Sequence, residues 1–179
     1  MKEISNKELS ERARKIKYLF TDVDGTLTDG CVYYSPEGEE LKKFSLRDGT
    51  GFFLLRKAGI KSGIITGENS PIVSRRAEKL KIDKLILNAV PKVETLESFL
   101  KVEGLTFEEI AYVGDDLNDV KLLQNAGIGF AVSDASEYAK QSADVVLAHK
   151  GGDGAFREAV ELLLRYKGVD INSIVDKYL

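Results

Sequence analysis

The sequence has little cysteine and no long apolar run, and each shortage excludes a class of protein. Its 179 residues include one cysteine, Cys31, so neither an intramolecular disulfide nor a cysteine metal cluster can form. This cysteine usage indicates a reducing cytoplasm. No stretch approaches the length needed to cross a bilayer, and the charged residues 1–17 lack the apolar core of a signal peptide. We therefore expect a cytoplasmic protein with no membrane partner.

Excess basic charge is also missing. The chain has 26 basic and 29 acidic residues, which gives a formal net charge of −3. Such a protein has no bulk attraction for DNA, RNA or an anionic membrane. We therefore expect no nucleic-acid partner, and an anionic substrate would need a local cluster of lysine and arginine.

Short apolar runs alternate with amphipathic segments along the chain. Helical stripes lie between runs that have the length of strands buried on both faces, and Pro71 after Ser70 marks one helix start. This alternation predicts an α/β fold: a Rossmann-like parallel sheet with helices on both faces, in a single domain over residues 1–179. The predicted strands are Tyr18–Val23, Ser62–Thr66, Lys84–Leu87, Ile110–Val113, Gly129–Val132 and Asp144–Leu147.

One segment departs from this alternation. Cys31–Tyr34 and Glu40–Leu46 flank the turn-forming sequence Ser-Pro-Glu-Gly, which predicts a β-hairpin at about residues 31–46. The hairpin follows the loop of the first strand, so it should stand over the carboxyl end of the sheet. Ligands bind at that edge in this fold class.

The first strand ends in the sequence Asp22-Val23-Asp24-Gly25-Thr26. Two carboxylates so close together repel each other unless a cation or a proton lies between them. Magnesium prefers oxygen ligands of this kind. The alternative is that the two acids only form a turn or cap a helix.

Polar residues also follow three later strands. Thr66 ends one, Lys92 comes shortly after another, and residues 114–119 (Gly-Asp-Asp-Leu-Asn-Asp) end a third. Asp115 or Asp116 could simply cap a helix, and that role is compatible with a functional one. Four strands that each end in a polar group indicate one site at the edge of the sheet.

These four motifs, in this order, resemble the haloacid dehalogenase superfamily of phosphotransferases. The resemblance extends over nearly the whole chain. It implies that Asp22 is a nucleophile that forms an aspartyl-phosphate and that Asp24 is the general acid and base. It further implies that Thr66 and Lys92 bind the phosphoryl oxygens.

The same resemblance implies a Mg²⁺ cofactor. Its ligands would be the carboxylates of Asp22 and Asp115 and the backbone carbonyl of Asp24. Asp119, and less directly Asp116, would support the metal site and orient the motif lysine.

Three further segments resemble one capless branch of this superfamily, the phosphatases of 3-deoxy-manno-octulosonate 8-phosphate, a lipopolysaccharide precursor. The segments are TDGCVYY after the first motif, KKFSLRDG at 42–49 and GGDGAFRE at 151–158. The resemblance implies a homotetramer with hairpins at its centre and a glycine-rich segment, residues 151–154, near the site. It implies a sugar-acid site that includes Ser45, Leu46, Arg47, Asp48, Gly49 and Arg76. The alternatives are a surface turn with a helix cap for residues 47 and 48, and a solvated helix face for residue 76.

Glu68 departs from that branch, which usually has arginine at this place. A carboxylate there repels the acid group of the substrate unless Arg76 and Lys79, neighbours on one helix face, offset it. Phosphatases of nine-carbon, sialic-acid-like sugar acids resemble this chain in having a glutamate there and a lysine downstream. The sequence therefore leaves the eight- and nine-carbon sugar acid phosphates as alternative substrates.

A non-enzymatic scaffold on the same fold is the alternative from another class. Such a protein would lack one of the motif residues, and all of them are present. A mutase or kinase-like phosphotransferase would need a cap domain, for which the spacing between the motifs leaves no room.

Overall fold

A computed structural model describes residues 4–178 of the chain. The described strands are β1 (Tyr18–Thr21), β2 (Thr28–Ser35), β3 (Gly38–Phe44), β4 (Lys61–Ile65), β5 (Lys84–Ile86), β6 (Ile110–Gly114), β7 (Ile128–Ala131) and β8 (Val145–Val146). Six of them form a parallel sheet in the spatial order β5–β4–β1–β6–β7–β8. This sheet confirms the predicted fold class, and each predicted strand is present within two residues of its predicted ends. The central strands β1 and β6 are buried along their whole length, as their apolar sequences require.

The helices are α1 (Asn6–Lys15), α2 (Leu46–Lys57), α3 (Pro71–Leu80), α4 (Lys92–Glu103), α5 (Val120–Asn125), α6 (Glu137–Ser142), α7 (Ala155–Tyr166) and α8 (Ile171–Tyr178). They form two groups. Helices α1, α2, α3, α7 and α8 are linked by mutual contacts, and α4, α5 and α6 form the second group. Right-handed crossovers between parallel strands place these groups on opposite faces of the sheet. None of the described helices is long and apolar enough to cross a membrane.

Helix α1 lies in the charged stretch before β1, which the apolar patterns do not predict as a helix. The hydroxyl of Ser5 caps it by accepting a hydrogen bond from the backbone N–H of Glu8. Its buried face consists of Leu9 and Ala13. Arg12 attaches the helix to the β8 edge of the sheet, because its guanidinium binds both carboxylate oxygens of Asp144, the residue before β8, at 3.1 and 2.6 Å.

Strands β2 and β3 form a separate antiparallel hairpin. The hairpin is present as predicted, but it begins three residues earlier, at Thr28. It exposes three large apolar side chains: Tyr33, Tyr34 and Leu41 are 64%, 71% and 63% accessible. Phe44, in contrast, packs against the protein core, and the guanidinium of Arg76 lies 5.4 Å from the centre of its ring.

The described elements leave no room for a cap domain. Only the hairpin and α2 separate β1 from β4, and only α3 and β5 separate β4 from α4. The carboxyl edge of the sheet is therefore covered within this chain by the hairpin and the strand-end loops alone.

Candidate active site

The loop after β1 holds Asp22 at the centre of the sheet edge. The backbone N–H of Asp22 donates to the carbonyl of Val113 in β6, at 3.0 Å. The hydroxyl of Thr28 then accepts from the N–H groups of Gly25 and Gly30, at 3.3 and 3.2 Å. Asp22 is almost fully buried, so its carboxylate position is set by the loop rather than by solvent.

Lys92, the first residue of α4, meets two acids at this edge. Its ammonium lies 2.7 Å from Oδ1 of Asp22 and 2.7 Å from Oδ1 of Asp119. The hydroxyl of Tyr112 also donates to Oδ1 of Asp119, at 2.6 Å. Asp119 thus contacts the lysine that the family resemblance implies it would orient, while the buried tyrosine is a member of the network that the sequence did not suggest.

The carboxylates of the site are crowded and poorly hydrated. Burial, with added repulsion from Asp119, raises the pKa of Asp22 to about 8, although Lys92 opposes the shift. Burial and the same neighbour raise the pKa of Asp115 to about 7. Burial alone would lower the pKa of Lys92, but the two carboxylates beside it outweigh burial and raise this pKa. One ammonium therefore does not balance the negative charge, and the site favours an additional cation.

Three carboxylates could hold that cation. Oxygens of Asp22, Asp115 and Asp119 lie within 4.8 Å of one another. Asp119 already accepts four hydrogen bonds, from the lysine, from Tyr112 and from the backbone N–H groups of residues 115 and 116. Its lone pairs are therefore largely used, so the first two acids have the better oxygens for a metal.

Gly25 lets the loop of residues 22–27, here called the nucleophile loop after the role that the resemblance implies for Asp22, approach Asp115. A Cβ atom at this glycine would lie 2.1 Å from Oδ2 of Asp115, and its φ of +86° is itself unfavourable for other residues. The hydroxyl of Thr26 donates to Oδ1 of the same carboxylate, at 3.2 Å. The close approach keeps the acids of the first and fourth motifs together.

The capping alternative holds for Asp116. It is exposed and caps a short 3₁₀ turn at residues 117–119, in a reciprocal capping box with Asp119. Asp116 thereby supports the turn that carries the buried acid.

Thr66 directly follows β4, the neighbour of β1 in the sheet. The residue is buried, and its hydroxyl oxygen accepts a hydrogen bond from the backbone N–H of Glu68 at 3.2 Å. A cavity of about 370 Å³ opens beside this strand end and is lined by Gly67, Lys92 and the exposed apolar side chains of Val90 and Leu117.

The predicted sugar-binding residues do not all meet. Leu46, Gly49, Arg76 and Lys79 line one cavity of about 320 Å³ between α2 and α3. Glu68 lines a second cavity of about 460 Å³, together with the hairpin residue Tyr34, the start of α3 and Arg75. Arg75, which the sequence analysis did not single out, is thus the arginine that shares a cavity with Glu68.

Three predicted sugar-binding residues lie around the start of α2, and two of them contact other helices. Ser45 caps α2, and its backbone carbonyl accepts from the guanidinium of Arg76 at 3.0 Å. Arg47 is exposed. Asp48 is buried and accepts hydrogen bonds from the backbone N–H groups of Gly154 and Arg157 at the start of α7. Burial raises the pKa of Asp48, and these amides partly offset the shift. Asp48 is therefore not part of a surface turn, although its carboxylate does cap a helix, α7.

The glycine-rich segment 151–154 packs against the nucleophile loop. A Cβ atom at Gly151 would lie 1.8 Å from the carbonyl oxygen of Gly25, and Gly152 donates its N–H to the carbonyl of Thr26 at 3.0 Å. Only glycine allows this approach of two backbones.

Replacement of Gly151 by alanine is expected to displace the nucleophile loop. We expect kcat to fall about 10- to 100-fold and the free energy of unfolding to drop by about 1–3 kcal/mol. Gly104→Ala is the control for a loss of stability without a clash at the site, because its φ of +66° is unfavourable for alanine but its side chain would point into open space. The control should lose stability and keep kcat, as measured by chemical denaturation and steady-state kinetics. Wild-type kcat in Gly151→Ala would contradict the expectation.

The second acid of the first motif has a partner in the hairpin. The ammonium of Lys42, in β3, lies 2.5 Å from Oδ1 of Asp24. This pair could not be predicted from the sequence, since the two residues are separated by 18 positions.

A parallel sheet with acids at the ends of β1 and β6, a lysine reaching them from a neighbouring helix, and a hairpin above define the class of haloacid dehalogenase-like hydrolases. A family model with that description matches residues 77–158. The 3-deoxy-D-manno-octulosonate 8-phosphate phosphatase of Haemophilus influenzae is 39% identical over 160 residues, 89% of either chain. That of Escherichia coli K12 is 38% identical over 157 residues, 88% of this chain and 84% of the relative.

Solved structures agree. The Moraxella catarrhalis 3-deoxy-D-manno-octulosonate 8-phosphate phosphatase, in complex with a magnesium ion, a phosphate ion and KDO, has a TM-score of 0.90 and 36% identity, over 96% of this chain and 98% of that one. The cobalt-bound Haemophilus influenzae enzyme has a TM-score of 0.84 and 40% identity, over 88% of this chain and 92% of that one. The chain belongs to the family of the 3-deoxy-D-manno-octulosonate 8-phosphate phosphatases.

Proposed function

We propose that the protein hydrolyses 3-deoxy-D-manno-octulosonate 8-phosphate to the free sugar acid and phosphate, in the synthesis of a lipopolysaccharide precursor. The observation that carries the proposal is the buried cluster in which Lys92 bridges Asp22 and Asp119, at 2.7 Å from each. The relatives that are 39% and 38% identical to this chain are named as phosphatases of this ester. The single exposed cysteine, Cys31, suits a reducing cytoplasm, where we propose that the protein acts.

The residues of the site suit a two-step reaction. Asp22 attacks phosphorus and forms an aspartyl-phosphate, while Asp24 gives a proton to the departing sugar oxygen. Asp24 then takes a proton from the water that attacks the aspartyl-phosphate, which frees phosphate and restores Asp22. Lys92 and Thr66 would bind the phosphoryl oxygens, and the ammonium would reduce the repulsion between a carboxylate and a dianionic ester.

The donor set fits Mg²⁺. Asp22 and Asp115 offer hard carboxylate oxygens, and burial together with repulsion from Asp119 raises the pKa of both, so a bound cation would stabilise their ionised forms. The backbone carbonyl of Asp24 would complete the protein ligands. When bound, the ion supplies charge that stabilises the phosphoryl oxygens.

A nine-carbon sugar acid 9-phosphate is the second candidate substrate. The observation that favours it is Glu68, which is exposed and lines the cavity of about 460 Å³ beside Tyr34 and Arg75. A carboxylate in that wall would repel the acid group of a short substrate and accept hydrogen bonds from the hydroxyl groups of a longer one.

Phosphate release tests the proposal. The purified protein with Mg²⁺ is given the eight-carbon 8-phosphate, the nine-carbon 9-phosphate, and hexose phosphates as a control. We expect the highest kcat/KM on the eight-carbon acid. A higher kcat/KM on the nine-carbon acid would make that acid the substrate in place of the eight-carbon one. No phosphate release from any of these esters would overturn the proposed activity.

We further propose that the protein is a homotetramer in which the hairpins cover neighbouring sites. Tyr33 and Leu41 are cross-strand partners on an exposed apolar face that an isolated two-stranded ribbon cannot bury by itself. A closed assembly would bury these faces together and supply the wall that a capless site lacks.

Placing glutamate at both Tyr33 and Leu41 is expected to dissociate the assembly, because like charges would then meet in an apolar contact. Light scattering should report a tetramer for the wild type and smaller species for the variant. Selectivity for the sugar acid should fall more than hydrolysis of p-nitrophenyl phosphate. The control is Tyr138→Glu in α6, an equally exposed tyrosine outside the hairpin. A wild-type monomer that keeps its selectivity would contradict the proposal.

A further inference from the structure

The hairpin places the buried ammonium of Lys42 against the nucleophile loop. The ammonium of Lys42 lies 2.5 Å from Oδ1 of Asp24, and its side chain is 3% exposed, against 35% for that of Asp24. A lysine is rarely so well covered unless its charge has a function or a partner. Here one partner, Asp24, belongs to the nucleophile loop.

The register of the hairpin explains why this lysine points inward. Side chains alternate between the two faces of a strand, so Lys42 and Phe44 share one face of β3 and Leu41 and Lys43 the other. Phe44 packs against the core, whereas Leu41 is exposed and the side chain of Lys43 is 68% exposed, paired with Asp29 at 3.2 Å. The inward face therefore carries Lys42 to the sheet edge.

Proton transfer needs a carboxylate in one position. Asp24 is partly exposed, so several side-chain rotamers are open to it if nothing holds it. A charge-assisted hydrogen bond to an ammonium that is itself fixed by burial selects one of them. General acid–base catalysis depends steeply on such placement.

We propose that Lys42 is a positioning residue that holds the carboxylate of Asp24 in place for proton transfer. The inference rests on the proposed role of Asp24 as general acid and base. The hairpin would then also position the general acid and base, since any shift of β3 would move Lys42 and with it the carboxylate of Asp24.

A double-mutant cycle tests the proposal. The variants are Lys42→Met, Asp24→Asn and the two combined, with Lys43→Met as the control on the same strand. We expect Lys42→Met to lower kcat on the sugar-acid phosphate about 10- to 100-fold and Asp24→Asn to lower it about 10²- to 10⁴-fold. The double variant should be within about threefold of Asp24→Asn, because a residue that acts through another adds little once that one is gone. Lys43→Met should keep the wild-type kcat.

A second measurement distinguishes a positioning role of Lys42 from a role in folding. In Lys42→Met, rapid-quench measurements with p-nitrophenyl phosphate should still show a burst of p-nitrophenol, since this leaving group departs without a proton. The slow step should be hydrolysis of the aspartyl-phosphate. Lys42→Gln is carried through the same cycle in case the methionine variant does not fold.

The outcomes are distinct. A full, additive loss from Lys42→Met in the Asp24→Asn background, or wild-type kcat in both Lys42 variants, overturns the inference and leaves the proposed function intact. Wild-type kcat in Asp24→Asn instead overturns the proposed role of Asp24, whatever Lys42 does.

Discussion

Asp22→Asn is expected to abolish turnover, with a loss on the order of 10⁴-fold or more, while the fold is retained. An amide cannot attack phosphorus, so no aspartyl-phosphate forms. The hydrogen bond that anchors this residue, from its backbone N–H to Val113, does not use the carboxylate and should persist.

The thermal stability of Asp22→Asn should not fall together with its activity. Burial and a second carboxylate raise the pKa of Asp22, which means that its charge is unfavourable in the folded, metal-free protein. A neutral amide of the same shape removes that cost, so the melting temperature without metal should be unchanged or higher. Lys92 should keep in the variant the hydrogen bond to Asp119 that it makes in the wild type.

Phosphate release, acid-quenched labelling of the protein and thermal melts measure these effects. Asp176→Asn, an exposed aspartate in α8, is the matched control and should keep full activity. Substantial turnover by well-folded Asp22→Asn would contradict the assignment of the nucleophile.

The strands could be predicted because their sequences are short, apolar and buried. The same logic pointed to the site, since a polar residue directly after a buried parallel strand must lie at the carboxyl edge of the sheet. Asp22, Thr66 and Asp115 follow the adjacent strands β1, β4 and β6, so sequence position alone brings them to one edge.

Helix α1 could not be predicted in this way. Its buried face is only Leu9 and Ala13, too small to make a periodic signal in a charged stretch. Its attachment depends on Arg12 meeting Asp144, 132 positions away, which no local pattern records. The start of the hairpin was missed for a related reason, because Thr28-Asp29-Gly30 has the composition of a turn.

The directions in which long side chains point could not be predicted from the sequence either. Arg76 and Lys79 were correctly placed near each other, but the guanidinium of Arg76 turns to Phe44 and the carbonyl of Ser45. Lys42 could be placed at the site only with the register of the hairpin in hand, and that register shifts twice along β2. Such contacts depend on tertiary packing, which composition and spacing do not encode.

Removal of magnesium is the second change expected to abolish activity. Excess EDTA should stop phosphate release, Mg²⁺ should restore it, and Ca²⁺ should bind without restoring much. Without a cation, the carboxylates of Asp22, Asp115 and Asp119 confront a dianionic ester, and one ammonium, that of Lys92, contacts two of them. Calcium takes oxygens at about 2.3–2.6 Å in a loose shell, against about 2.0–2.1 Å in the octahedral shell of magnesium, so it would misplace the nucleophile. Full activity in EDTA would contradict the expectation.

The raised pKa values give this prediction a signature that does not depend on turnover. A carboxyl group with a pKa of about 8, as for Asp22, or about 7, as for Asp115, is partly protonated at pH 7 in the metal-free protein. Magnesium requires the ionised form, so binding must release protons. Lowering the pH from 8 to 6 adds protons that compete with the metal, and the apparent affinity for Mg²⁺ should therefore fall. Calorimetric titration at pH 7 in two buffers with different ionisation enthalpies measures the protons released. Asp115→Asn should release fewer protons and bind Mg²⁺ more weakly, whereas an affinity independent of pH across this range would contradict the link between the buried acids and the metal.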